Sequence, residues 1–205
     1  MSDQPAEAAT IIGIHHTTDF AVWRAALRRE KIAARQALDP DTHRQASRLI
    51  LDNLGQFLAA RPAGTIAFCW PIRAEVDCRP LVGRLLAAGW QAAMPTVVQA
   101  DTPMEFRTWW PDAPMQADPY GIPIPATPAV PAPDVLLLPL VACDAAGYRL
   151  GYGGGYFDRT LASCQPRPLA IGIGFELCRV DSIHPEAHDI PIDVLVTENS
   201  IESYG

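Results

Sequence analysis

The chain has 205 residues, of which 49% are hydrophobic and 19% charged; this excludes global disorder and favours one domain with a substantial core. No apolar run approaches the ~18 residues that span a bilayer, and the formal net charge of −7 argues against a general nucleic-acid binder, so neither a membrane nor a nucleic acid is an expected partner. Proline is the unusual component: there are 20, about twice the ~5% average, and eight of them fall between Pro111 and Pro133.

The charge is uneven. Arg24, Arg28, Arg29, Lys31, Arg35, Arg44 and Arg48 supply seven of the 16 basic residues, and Lys31 is the only lysine. Five cysteines (Cys69, Cys78, Cys143, Cys164 and Cys178) form no CxxC pair; an odd count fits reduced thiols in a cytoplasmic protein. Residues 1–18 have no basic n-region and only a short apolar run, so they read as a loosely ordered extension and not as a signal peptide. One α/β domain is expected over 19–205.

Asp19 is an expected N-cap for a helix over 20–38, with Phe20, Trp23, Leu27 and Leu38 on its apolar side. A second helix starts after Asp39-Pro40, favoured by Pro in its first turn. It turns Ile50, Leu51, Leu54 and Leu58 to the core and ends at Arg61-Pro62. Residues 65–70 (TIAFCW) predict a short buried strand, and 79–89 a helix ending at a glycine. Strands are expected over 92–98 and 105–110. The proline-rich stretch that follows is expected to be a stiff, extended surface crossing, because it can hold neither a helix nor a central strand. The run DVLLLPLV (134–141) has the continuous apolar character of a strand covered on both faces. After a glycine-rich loop at 151–155 comes a helix to about Cys164, then strands over 169–175 and 193–197. Strands alternating with helices imply a three-layer α/β/α fold with a largely parallel central sheet.

The most informative segment is RLGYGGGYFDR, Arg149 to Arg159. Gly151, Gly153, Gly154 and Gly155 allow a ligand close to the backbone and can aim successive N–H groups at phosphate oxygens ahead of a helix N-terminus. No GK[ST] follows, so it is not a Walker A loop, and Tyr156 stands where a dinucleotide fingerprint has its last glycine. A plain flexible connection is the alternative. Arg149 before the loop and Asp158 after it, an anion partner and a hard-cation ligand, favour a phosphate site with Mg²⁺.

RLGYGGGYFDR closely resembles the signature of the 5-formyltetrahydrofolate cyclo-ligases, also called methenyltetrahydrofolate synthetases. Other segments in the same order resemble that family: Arg24-Ala-Ala-Leu27-Arg28 with Arg35-Gln-Ala-Leu38; Trp70-Pro-Ile-Arg-Ala-Glu75-Val-Asp77; Pro95 through Met104-Glu-Phe106; Tyr120-Gly121-Ile122; and His188-Asp189, Asp193 and Val196-Thr197-Glu198. The resemblance spans about residues 24–198. It implies the conversion of ATP and 5-formyltetrahydrofolate into 5,10-methenyltetrahydrofolate, ADP and phosphate, with Mg²⁺, by phosphorylation of the formyl oxygen and ring closure by N10. Reduced folate and ATP are then the expected partners of a monomeric enzyme.

By the same resemblance Arg149, Tyr156 and Asp158 are the catalytic candidates. The nucleotide would meet Arg24, Arg28, Arg149, Leu150, Gly151, Tyr152, Gly153, Gly154, Gly155, Tyr156 and Phe157. The folate would meet Trp70, Glu75 and the segment Tyr152 to Tyr156, with the Glu75 carboxylate facing the N–H groups of the pteridine edge. Mg²⁺ would be held by Asp158 and Asp189, with Asp193 competing for the second place. Arg24 stands where the family usually has lysine. Lys31 and Arg35 repeat the Arg24/Arg28 spacing one register later, and a solvated basic helix face is the third option. His184 and His188 have an H-x3-H spacing, but Pro185 between them and the lack of a cysteine partner disfavour zinc. Another phosphotransfer activity on the same layered fold, or a folate-binding relative without turnover, are the competing readings.

Overall fold

A computed structural model describes residues 16–204. Most of the expected N-terminal extension, residues 1–15, lies outside the described residues; 16–18 begin a helix. That first helix, α1, runs His16–Gln36, so it starts three residues ahead of Asp19, which falls in its first turn instead of capping it. Helix α2 (Pro40–Ala59) starts as expected: the Asp39 carboxylate accepts from the Asp41 and Thr42 amides, with proline in the first turn. Next come β1 (Thr65–Ala67), α3 (Arg79–Ala87), β2 (Gln91–Thr96) and β3 (Glu105–Thr108). After them lie β4 (Met115–Ala117), β5 (Pro123–Pro125), β6 (Ala129–Val130), β7 (Val135–Pro139), β8 (Ala142–Cys143) and β9 (Arg149–Leu150). Helix α4 (Tyr156–Ser163), β10 (Leu169–Ile173), β11 (Val194–Val196) and β12 (Ile201–Ser203) complete the chain.

The main sheet has eight strands in the order β12-β11-β10-β7-β1-β2-β3-β6. Its centre, β11-β10-β7-β1-β2, is parallel throughout, while β3, β6 and β12 add antiparallel edges. Side chains alternate between the two faces of each strand. One face carries Ile66, Phe68, Met94, Leu137, Ile171 and Val196 against Ile50, Leu54 and Leu58 of α2 and Leu81, Val82 and Leu85 of α3. The other carries Ala67, Ala93, Leu136, Leu138, Ala170 and Leu195 against Leu161 and Cys164 at α4. The expected three layers are therefore present.

Among the parallel strands the chain order reverses between β1 and β7, because β2 lies on one side of β1 and β7, β10 and β11 on the other. In open α/β sheets ligands gather beyond the carboxyl ends of the strands at such a switch point. The segments leaving β1, β7 and β10 there are Phe68–Trp70, Leu140–Val141 and Gly174–Phe175.

The proline-rich stretch departs from expectation. It is not one extended crossing: β4 and β5 form a hairpin, and β6 pairs with β3 at the sheet edge. Prolines are tolerated because Pro123 and Pro125 flank Ile124, which pairs with Gln116. The N–H groups of successive strand residues face opposite edges, so both prolines sit where no N–H is required. The hairpin turn is tied by the Asp118 carboxylate, which accepts from the amides of Tyr120 and Ile122.

Leu54 is fully buried between α2 and the sheet. Leu54→Ala is expected to lower the unfolding free energy by about 2–5 kcal/mol, measured by urea denaturation; a loss under about 0.5 kcal/mol would show that α2 is not seated on this face.

Candidate active site

Helix α1 lies across the carboxyl end of the sheet, and its inward stripe is cationic. Leu27 packs on Ala142, Leu150 and Ile183, but four basic residues on the same face make most of the polar contacts. Arg24 donates to the Ile183 and His184 carbonyls at 3.1 and 2.6 Å. Arg28 donates to the Gly151 carbonyl at 2.8 Å. Lys31 donates to the Leu177 and Arg179 carbonyls at 2.8 and 3.2 Å. Arg35 donates to the Arg73 and Leu140 carbonyls at 3.0 and 2.9 Å. A solvated basic face is thereby excluded: the Arg24/Arg28 and Lys31/Arg35 registers all turn inward onto main-chain carbonyls.

Arg24 is nevertheless no free arm. It is 7% exposed, and its remaining donors face Asp189 at 2.7 Å and Glu186 at 3.2 Å. Arg28 is different. Only its Nε is hydrogen-bonded among the described residues, and its guanidinium lies against the glycine loop, 3.5 Å from where a Gly153 Cβ would stand. Burial, and next the Arg24 charge, pull its pKa below the usual value.

The loop itself joins β9 to α4. Gly153 (φ +98°) and Gly155 (φ +64°) adopt the left-handed backbone that side chains disfavour. A Cβ on Gly155 would also stand 2.9 Å from Arg159. Beyond the loop, Arg149 and Asp158 hold one residue, Ile190, through both of its backbone polar groups. Arg149 donates to the Ile190 carbonyl at 2.5 Å and to Asp158 Oδ1 at 3.0 Å, and Asp158 Oδ1 accepts from the Ile190 amide at 3.0 Å. Burial lowers the Arg149 pKa, against the Asp158 charge. This clip sets Asp189 next to the loop, where its Oδ2 accepts from Arg24 and from the Glu186 amide, each at 2.7 Å.

Asp193, the competing carboxylate, stands at the other end of the sheet. It accepts from the Ala170 amide and from Arg167, ahead of β11. His184 stacks between Phe20 and Trp23, with ring centroids 4.5 and 4.8 Å away. Among the described residues no three His, Cys, Asp or Glu side chains converge as a preformed metal cage.

At the switch point a second group of residues surrounds Glu75. The turn after β1 places Arg73 and Ala74 in the left-handed region (φ +47° and +60°), and the Ile72 amide donates to Glu75 Oε2 at 3.0 Å. Tyr152 reaches across from the glycine loop and donates to Glu75 Oε1 at 2.5 Å, while Arg35 donates to the Tyr152 hydroxyl at 2.9 Å. Glu75 is 8% exposed, and burial raises its pKa against the opposing effects of Tyr152, Ile72 and Arg35. Beside it is a cavity of about 20 Å³ lined by Phe68, Cys69, Pro139 and Phe175, room for about one water. Burial pushes the Cys78 thiol in this wall up to about 12 and that of Cys69 well above the usual value, so neither offers a ready thiolate.

Trp70 is half-buried at the mouth of this region, under the Arg79 guanidinium at 4.1 Å. Tyr156 is the first residue of α4; its hydroxyl is 3.1 Å from that of Tyr120 at the tip of the proline hairpin, a contact that raises the Tyr156 pKa. The Leu150 side chain is buried, and that of Phe157 is half-buried against the core beneath. The fold thus gathers Arg28, Glu75, Tyr152, Tyr156, Asp158 and Asp189 at one end, and sets aside the side chains of Leu150 and Phe157. Arg35 was legible as a basic residue at helical spacing within a family-like segment; nothing in the sequence indicated that it enters the Glu75 cluster.

Fold and site together define a doubly wound α/β protein with a glycine-rich loop set against a buried carboxylate. The model of the 5-formyltetrahydrofolate cyclo-ligase family matches residues 21–198, and the chain belongs to that family. It is 30% identical over 161 residues to the 5-formyltetrahydrofolate cyclo-ligase of Haemophilus influenzae, covering 74% of this chain and 86% of the relative. With the Escherichia coli K12 protein of that name it shares 28% over 174 residues, covering 82% and 96%. Among solved structures, the 5,10-methenyltetrahydrofolate synthetase of Aquifex aeolicus superposes with a TM-score of 0.76 at 28% identity, covering 88% of this chain and 92% of that one. The synthetase of Mycoplasma pneumoniae gives 0.72 at 26%, covering 85% and 98%.

Because the Glu75 carboxyl is raised, the folded chain keeps its proton over a window starting near the ordinary Glu value, where the unfolded chain has released it. Stability linked to Glu75 is therefore full below that window and falls as pH rises through it. Glu75→Gln removes the dependence, so the unfolding free energy of the variant relative to wild type should rise between about pH 4 and about pH 7. Urea denaturation at each pH reads this; a constant difference would contradict the upward shift of the buried Glu75 carboxyl.

Proposed function

We propose that this chain catalyses the ATP- and Mg²⁺-dependent cyclisation of 5-formyltetrahydrofolate to 5,10-methenyltetrahydrofolate, with release of ADP and phosphate. The observation that carries the reading is a single loop in contact with both halves of the site: Gly151 accepts from Arg28, and the next residue, Tyr152, donates to Glu75. The names of the relatives point the same way.

The N5-formyl group is an amide, a poor electrophile whose oxygen does not leave. Transfer of the γ-phosphoryl group to that oxygen creates a phosphate leaving group. Attack by N10 on the formyl carbon closes the five-membered ring, the N10 proton is lost and the C–O bond to phosphate breaks. Such chemistry asks the protein for positioning and charge stabilisation more than for a covalent intermediate. In this reading the amides of Gly151 to Gly155 and the free end of Arg28 receive the phosphates. Arg149 holds Asp158 and the Ile190 peptide in place, and Arg24 orients Asp189. Trp70 and Glu75 receive the pteridine, with Tyr152 and Tyr156 bordering it. The cavity beside Glu75 admits about one water, so the pteridine reaches the carboxylate only as Tyr152 and its loop move off it.

Asp158 and Asp189 each have one carboxylate oxygen in the arginine and amide contacts, and the other makes no hydrogen bond among the described residues. Two such hard donors beside a phosphate cradle fit Mg²⁺, which takes one or two carboxylates with phosphate oxygens and water. When bound there it would offset the charge of the transferring phosphate.

Mixing the purified protein with 5-formyltetrahydrofolate and MgATP should produce the methenyl chromophore, followed by absorbance. Folate binding without any ATP-dependent signal would sink the catalytic reading in favour of a binding protein. Asp158→Ala is expected to reduce kcat by about 10²-fold or more and to weaken the dependence on Mg²⁺; unchanged kinetics would remove Asp158 from the metal site.

A further inference from the structure

Arg35 is the most enclosed cation of the α1 stripe, at 5% exposure, and it touches neither the glycine-loop backbone nor Asp189. Its Nε donates to the Arg73 carbonyl at 3.0 Å, its Nη1 to the Leu140 carbonyl at 2.9 Å and its Nη2 to the Tyr152 hydroxyl at 2.9 Å. The same Nη2 stands 3.8 Å from Glu75 Oε1. One guanidinium thus ties together the turn after β1, the end of β7 and the glycine loop at the switch point of the sheet.

We propose that Arg35 is a positioning residue for folate: it fixes the Arg73–Ala74 turn and lends Glu75 the countercharge that keeps it ionised toward the pteridine edge once Tyr152 moves off. The proposal rests on the reading that Glu75 receives folate. The geometry supports it in two ways. A left-handed Arg73-Ala74 pair is a strained way to turn a chain, and the Arg73 carbonyl is held by Arg35. A buried carboxylate is ionised only when opposite charge and hydrogen bonds offset lost solvation. The groups facing Glu75 are Arg35 from α1, Tyr152 from the glycine loop, Arg73 and Cys69 from its own segment, and Cys78 ahead of α3. Arg35 and Arg73 are the cations among them. Arg73 lies over the Tyr152 ring, 5.2 Å from its centroid, while the Arg35 fork bonds to the hydroxyl. A lysine there could not serve three acceptors in one plane.

Arg35→Met and Arg35→Lys test this, with circular dichroism to confirm folding. Arg35→Met should raise the folate KM by about tenfold or more while leaving the ATP KM within about twofold. It should also move the acid limb of folate binding, measured by calorimetry across pH, upward by about one unit, because Glu75 loses its countercharge. Arg35→Lys should leave the acid limb in place, since the charge is kept, yet raise the folate KM several-fold, since the fork is lost. A folded variant with wild-type folate KM and an unmoved acid limb for Arg35→Met would overturn the proposal. Should either variant fail to fold, Arg35→Gln, which keeps side-chain donors but no charge, takes its place. The acid limb must then move up, and an unmoved limb is equally fatal. Folate bound normally by Glu75→Gln would overturn the folate reading of Glu75 and this inference with it, whereas lost binding in Glu75→Gln beside an unaffected Arg35→Met would overturn only the role of Arg35.

Discussion

Docking of α1 by buried cations onto main-chain carbonyls is the interaction on which the site depends. At the carboxyl end of a parallel sheet, the loops leaving the strands present carbonyls that no neighbouring strand satisfies. A helix laid there with an aliphatic face would bury them without partners, at a cost of about 1–3 kcal/mol each. Arg24, Arg28, Lys31 and Arg35 instead supply donors at helical spacing, and seven carbonyls accept from them. Leu27 alone of the α1 side chains is both apolar and buried. The helix is held by its charges, and the charges hold the loops.

Two loop contacts then set the chemistry. The backbone N–H and C=O of Ile190 are held by Asp158 and Arg149, which joins the start of α4 to the segment carrying Asp189. The Tyr152 hydroxyl joins the glycine loop to Glu75 and Arg35. A phosphate-sized anion at the loop and a donor-rich ring at Glu75 would therefore be sensed by one short stretch of backbone. The small cavity beside Glu75 and the left-handed glycines on the loop agree with a site that rearranges when filled. The Tyr120–Tyr156 contact ties the proline hairpin to the same place.

Much of this was legible in the residues. The Asp39-Pro40 start of α2, the apolar run of β7 and the glycine loop opening α4 stand where local chemistry requires them, because caps, prolines and left-handed glycines act over a few residues. The start of α1 was less legible: Asp19 has the chemistry of an N-cap, yet the helix begins at His16. The proline stretch was misread because the rule against prolines in sheets applies to central strands. A two-stranded hairpin and an edge strand leave one side of the backbone open, and Pro123 and Pro125 use it. Strands as short as β8, β9 and β12 carry too few residues for any alternation to register.

By itself the sequence determined the family, the layered fold and the glycine loop that opens α4, since each rests on residue types at short spacing. Tertiary structure decided what the charges do. Only the packing of α1 across the sheet end could separate Arg28, with its guanidinium end clear of hydrogen bonds, from Arg24 and Arg35, which are buried among protein acceptors. Only the strand order could put Asp193 at the far end and Asp189 near the loop. The reason is the same in both cases: the role of an ionisable side chain is set by the partners and the solvent left to it, and those come from other segments, 165 residues apart for Arg24 and Asp189.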